Sequence, residues 1–142
     1  MEKLLIQFID TLDQSLKKIL REVGDSPGLT RLTIHQLQYI DAIYELDEPT
    51  ITELARHLKI TKASVTAGID KLARLGYVVK TQSSLDKRVF HVRLSDTGIR
   101  LMEAKYQALK EYGAFIRSAL SEVEAQQFEQ TLTRLVRLFA QD

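Results

Sequence analysis

Thr61-Lys62-Ala63-Ser64-Val65-Thr66-Ala67-Gly68-Ile69-Asp70-Lys71-Leu72-Ala73-Arg74-Leu75-Gly76 carries two patterns at once. Val65, Ile69 and Leu72 recur at i, i+4 and i+7, the spacing of one helix face, and are expected to enter a core. The opposite face then holds Lys62, Ser64, Thr66, Ala67, Lys71 and Arg74, which are small, hydroxylated or basic. Thr61 supplies an N-cap and Gly76 a stop. Just upstream, residues 52–58 read as a shorter helix with Leu54, Ala55 and Leu58 inward and Glu53, Arg56 and His57 outward; Lys59-Ile60 makes the turn between the two.

Charge is distributed unevenly around this stretch. The total is +1, but residues 1–49 hold 5 Lys+Arg against 9 Asp+Glu, residues 50–100 hold 10 against 4, and residues 101–142 hold 5 against 6. The middle therefore carries +6 between ends of −4 and −1, the distribution expected of a segment that faces phosphates. With 142 residues, 44% of them hydrophobic, one core and a single domain over residues 1–142 are expected. The absence of cysteine removes disulfides, thiolate metal sites and thiol switches. No apolar run approaches the roughly 20 residues a membrane span needs, and Met1-Glu2-Lys3 leads into an amphipathic pattern, so a cytoplasmic protein is expected.

Outward from the centre, Leu5, Phe8, Ile9, Leu12, Leu16, Ile19, Leu20 and Val23 recur at helical spacing and predict a long first helix, broken over residues 24–28. Thr33 with Gln36 is a capping box that opens a second helix, with Ile34, Leu37, Ile40, Ile43 and Tyr44 inward and Asp47-Glu48-Pro49 at its end. Thr52 can cap the short helix that follows, leaving Ile51 as a one-rung strand, and Thr50 with Glu53 is a competing box. After Gly76, residues 77–82 read as a strand and residues 83–87 as a turn. Phe90, Val92 and Leu94 then alternate with Val89, His91 and Arg93, completing a β-hairpin with Lys87 and Arg88 near its tip. Ser95 or Asp96 caps a long helix to about residue 120, with Met102, Tyr106, Leu109, Ile116 and Leu120 on its stripe. Ser121 with Glu124 opens a last helix carrying Phe128, Leu132, Leu135, Val136 and Phe139.

The order helix, helix, turn, helix, hairpin is that of a winged helix-turn-helix unit, in which the helix after the turn enters the DNA major groove. The expected fold is mainly α with a small β-hairpin wing: a winged part over residues 33–98, flanked by dimerisation helices over residues 1–24 and 99–142. The flanking stripes exceed what one small core can cover, which points to a homodimer. In the groove-facing set, Lys62, Lys71, Arg74 and Lys80 are candidate phosphate contacts, with a solvated face as the plain alternative. Ser64 and Thr66 are candidates for base edges, and Ala67 offers only a methyl, suited to a thymine. Asp70 is expected to pair with Arg74 one turn on. Gly68 costs about 1 kcal/mol of helix propensity relative to alanine, so close approach to a neighbouring helix or to DNA is expected there.

The chain resembles the MarR family of transcriptional regulators. The residues that carry the resemblance are Leu32-Thr33 with Gln36, Ser64-Val65-Thr66 with Leu72 and Gly76, Asp86-Lys87-Arg88 in the wing, and Leu94-Ser95-Asp96-Thr97-Gly98. Ser95 stands where the family usually has threonine, and Ala67 where many members carry a larger polar or basic residue. The resemblance implies a homodimer formed by the terminal helices on a partly palindromic double-stranded operator. It implies that Arg88 enters the minor groove while Asp86 orients the wing; from the residues alone, phosphate contact by Lys87 and Arg88 stays open. It also implies a repressor released by a small-molecule effector, in a pocket for which His35, Tyr39 and Tyr106 are the candidates and core packing the competing role. The alternative is a winged helix used for protein contact without DNA. No enzyme is expected, since there is no glycine-rich phosphate loop, His-Glu-x-x-His or Gly-x-Ser-x-Gly. Neither a cofactor nor a metal site is expected, His35, His57 and His91 being far apart in sequence.

Overall fold

A computed structural model of the chain describes residues 1–23 and 32–140. In chain order the elements are α1 (Glu2–Val23), α2 (Ile34–Leu46), α3 (Ile51–Leu58), α4 (Lys62–Arg74), β1 (Val78–Gln82), β2 (Phe90–Leu94), α5 (Asp96–Ala119) and α6 (Glu122–Phe139). The expected break at residues 24–28 lies outside the described residues. Residues 1–105 and residues 106–142 form two compact units, so the division falls inside α5.

In the first unit the core is built where the apolar periods of several short elements meet. Ile40, Ala42 and Ile43 from α2, Leu54 and Ala55 from α3, and Val65, Ile69 and Leu72 from α4 close on Tyr77, Val78, Val92 and Leu94 of the hairpin and on Leu101 and Met102 of α5. The hairpin is antiparallel, pairing Val78 with Leu94 and Gln82 with Phe90, so Val78, Val92 and Leu94 turn inward. Tyr77 precedes the strand and is itself buried.

Most helix starts follow the predicted caps. Thr33 and Ser121 each form the full reciprocal box, with Gln36 and Glu124 respectively. At α3 the competing box is the one observed: Thr50 caps, accepting from Glu53 N at 3.2 Å, while Glu53 Oε2 accepts from Thr50 N at 2.7 Å. Thr52 therefore lies in the first turn, and the one-rung pairing is made by Thr50 with His91, not by Ile51. Ser95, not Asp96, caps α5: its Oγ accepts from Gly98 N at 3.2 Å and donates to Gly76 O at 2.6 Å.

Two inward assignments on α2 fail for a geometric reason. The buried stripe runs through Gln36, Ile40 and Ile43. Ile34, two residues before Gln36, is rotated about 200° away at 100° per residue, and it is exposed. Tyr44 stands at the margin of the stripe and is also exposed. On the terminal helices the apolar stripes are present but uncovered. Leu5, Phe8, Ile9 and Leu12 of α1 are exposed, as are Tyr106 and Leu109 of α5 and Leu132, Leu135, Val136 and Phe139 of α6; Phe128 is half-buried. The side chains of Leu16, Ile19, Leu20 and Val23 lie outside the described set.

Candidate nucleic-acid interface

The turn before α4 is set by Lys59, which adopts the left-handed conformation (φ 55, ψ 40) and lets the chain reverse within a few residues. Thr61 then accepts from Ser64 N at 3.2 Å, fixing the first turn of α4. Val65, Ile69 and Leu72 are fully buried, which fixes the rotation of the helix about its axis and presents the opposite face to solvent. Lys62, Ser64, Ala67, Lys71 and Arg74 are exposed there, and Thr66 is half-buried.

A second constraint acts from α2. Tyr39 donates from its hydroxyl to Ser64 O at 3.2 Å. Its ring lies so close to Gly68 that a Cβ at that position would meet Cε2 at 2.5 Å and Cζ at 2.8 Å. The expected close approach at Gly68 is therefore to a neighbouring helix through Tyr39. Burial pushes the Tyr39 hydroxyl above the ordinary tyrosine range.

Local bonds already engage the two hydroxyls predicted to meet base edges. Ser64 Oγ is 2.9 Å from Thr61 Oγ1, and Thr66 Oγ1 donates to Lys62 O at 2.9 Å. Thr66 thus presents a methyl group and acceptor lone pairs, not a free donor. The prediction that Asp70 pairs with Arg74 is corrected. Asp70 Oδ1 is 2.7 Å from Lys80 Nζ, reaching across from β1. Lys80, grouped above with the phosphate contacts, is in this pair and lies 5.2 Å from the Phe90 ring centroid, with its side chain only 26% exposed. Its placement depends on the sheet register, which no spacing within α4 can reveal.

The wing is internally bonded. Asp86 Oδ1 accepts from Arg88 N at 2.9 Å and lies 3.3 Å from Arg88 Nε, so the carboxylate shapes the tip and directs the arginine stem. The Arg88 side chain is 91% exposed, leaving most of its guanidinium donors free to meet an anion. Between wing, α3 and α4 lies a concavity of about 460 Å³, lined by Thr50, Ile51, Thr52, Lys62, Thr66, Lys80, Arg88, Val89 and Phe90. Of the predicted contact residues, Lys62, Thr66, Lys80 and Arg88 meet in it; Ser64, Ala67, Lys71, Arg74 and Lys87 are exposed elsewhere on the helix and the wing. Thr50 and Thr52 were not predicted to join the site. The Thr50-x-x-Glu53 box is the signal that brings them to the start of α3, and the Thr50–His91 pairing brings that start beside the hairpin.

Of the proposed effector residues, two belong to the first unit and one to the second. His35 is exposed, with Nδ1 3.2 Å from Gln38 Oε1; Tyr39 is committed to α4; Tyr106 belongs to the second unit. Among the described residues, no three His, Cys, Asp or Glu side chains are grouped to hold a metal ion, and no helix is long and apolar enough to cross a membrane.

Comparison with known proteins agrees with this geometry. Residues 28–89 match the MarR family. An HTH-type transcriptional regulator of Bacillus subtilis, YdgJ, is 27% identical over 109 residues, which is 77% of this chain and 65% of YdgJ. Among solved structures, Streptococcus pneumoniae FabT in complex with DNA superposes with a TM-score of 0.76 at 21% identity, over 99% of this chain and 97% of FabT. The S. aureus MepR–DNA complex superposes with a TM-score of 0.75 at 22% identity, over 98% of this chain and 99% of MepR. Those likenesses show the fold, a winged helix-turn-helix, and the stretch that matches the MarR family, residues 28–89, spans the helix-turn-helix and most of the wing.

Proposed function

We propose that the chain is a sequence-specific DNA-binding transcriptional regulator acting as a homodimer. The observation that carries this reading is the concavity in which Lys62 and Thr66 of α4, Arg88 of the wing and Thr50 and Thr52 at the start of α3 converge. Cations and hydroxyls around one hollow suit a phosphate strand passing between helix and wing. On this reading α4 lies in the major groove, with Lys62, Ser64, Thr66, Ala67 and Lys71 toward the bases and nearer phosphates. Lys87 and Arg88 reach the flanking backbone or the minor groove, held by Asp86.

The exposed apolar faces of α1 and α6 support the dimer, because a monomer seldom leaves that much apolar surface in water. Residues 33–98 would then be the DNA-binding part, and residues 1–24 and 99–142 the dimerisation part. Two copies of α4 about one DNA turn apart, roughly 34 Å, would read a partly palindromic operator. The protein would act in the cytoplasm as a repressor. A small-molecule effector that withdrew Tyr39 from α4 would release it.

The test is binding of the full chain to a mixed-sequence duplex, read by fluorescence anisotropy across a salt series. Six or more phosphate contacts predict a loss on the order of a thousandfold or more between about 50 and 200 mM salt. Failure to bind any duplex at low salt would remove this reading and leave a winged helix used for protein contact. If duplex binds, selection from a random duplex pool gives the operator.

A further inference from the structure

At the tip of the wing Leu85 is 97% exposed, and a network of hydrogen bonds holds it there. Ser83 N donates to Val89 O at 2.8 Å, Val89 N to Asp86 O at 2.9 Å, and Gln82 Nε2 to Lys87 O at 2.6 Å. Ser83 Oγ accepts from Leu85 N at 3.2 Å and from Asp86 N at 3.4 Å. The backbone on both sides of the leucine is therefore bonded, and ordering the loop costs conformational entropy that a loose tip would not incur.

A single exposed leucine is ordinary on a protein surface. This one differs in its company. Lys87 and Arg88 follow two and three residues later, both exposed, on the segment of the chain with the greatest basic excess. An apolar protein partner would have to bury those cations unpaired. A duplex offers both surfaces at once: phosphates for the cations, and sugar edges and groove walls for the leucine.

We propose that Leu85 is a further DNA-contacting residue, an apolar wedge that seats against the minor-groove edge of the duplex beside Arg88. This rests on the reading that the chain binds duplex DNA. An apolar wedge displaces water and presses on a base step but releases no condensed counterions. Its contribution is therefore independent of salt, whereas that of Arg88 falls as salt rises.

The experiment compares the wild-type chain, Leu85→Ala and Arg88→Ala on a duplex that the wild-type protein has selected from a random pool, across a salt series. Leu85→Ala is expected to bind about tenfold more weakly at every salt concentration, equivalent to about 1.4 kcal/mol, with the wild-type salt slope. Its melting temperature should match wild type, because the side chain is almost wholly exposed. Arg88→Ala should flatten the slope by about one unit. Wild-type affinity in Leu85→Ala, or a flattened slope like that of Arg88→Ala, would overturn the wedge while leaving DNA binding intact. A wild-type chain that selects no duplex would overturn both.

Discussion

Replacing Gly98 with alanine should destabilise the protein, whereas the same replacement at Gly113 should stabilise it, although both glycines lie within α5. A Cβ at Gly98 would sit 2.4 Å from Tyr77 O and 3.2 Å from Leu94 Cβ. Ordinary non-bonded contact lies near 3.5 Å, so the overlap with the carbonyl is about 1 Å. That carbonyl cannot retreat freely, because it accepts from Ser95 N at 2.9 Å while Ser95 Oγ donates to the preceding Gly76 O at 2.6 Å. Overpacking of this kind costs about 1–3 kcal/mol, and the alanine returns at most about 1 kcal/mol of helix propensity. An approach of 2.4 Å belongs in the upper part of that range, and the resulting net loss of about 1–2 kcal/mol lowers the melting temperature by about 3–7 °C in a chain of this size. At Gly113 nothing lies within 4 Å of the added Cβ, so the propensity gain stands alone and the melting temperature should rise by about 4 °C. Thermal unfolding followed by far-ultraviolet circular dichroism, at one fixed protein concentration, measures both. A Gly98→Ala protein as stable as wild type would show that α5 is not riveted to the strand start in the way described.

Tyr39→Phe should lose about 1 kcal/mol with its hydrogen bond to Ser64 O, and Gly68→Ala should disturb the same contact sterically; urea unfolding of both single variants and the double variant should show non-additivity, and strict additivity would separate the two sites. Glu53 titrates below the ordinary glutamate range because the Thr50 backbone N–H, and then its hydroxyl, bond the charged carboxylate. Its contribution is therefore complete above the ordinary glutamate value and is lost as pH falls through its lowered one. Glu53→Gln should accordingly flatten the acid limb of stability between about pH 7 and about pH 3, measured by urea unfolding. Arg88→Ala should leave stability unchanged, since the side chain is largely exposed and surface pairs such as Asp86–Arg88 contribute under about 1 kcal/mol, while duplex affinity falls in the anisotropy assay.

The helix-turn-helix was legible because its determinants are local. Val65, Ile69 and Leu72 declare one face, and Thr33, Thr61 and Ser121 declare helix starts, since a cap bonds a backbone group only two or three residues away. What could not be read was set by residues distant in sequence. Asp70 had Arg74 within reach on its own helix, but the hairpin register delivers Lys80 to it instead. Thr50, which caps α3 through its local box with Glu53, also pairs with His91, some forty residues on, and no local pattern shows that this pairing brings the start of α3 beside the hairpin. Gly68 announced a close approach through its propensity cost, yet only the placement of α2 shows that Tyr39 is the neighbour.

α2 is therefore more than a core helix. Tyr39 and Asp41 lie two residues apart, about 200° round the helix axis, and so project to opposite sides. Tyr39 holds α4 through Ser64 O and Gly68, while both carboxylate oxygens of Asp41 accept from Lys105 Nζ of α5, at 2.6 and 2.7 Å. A turn of α2 that slackened one contact would strain the other, because helices in a close-packed core change position by discrete repacking and not by smooth deformation. The outer face of α4 is in this sense positioned from α5 through α2. The small, locally bonded side chains of Ser64, Thr66 and Ala67 suit that arrangement: they have little reach of their own, so what they meet depends on where α2 holds the helix.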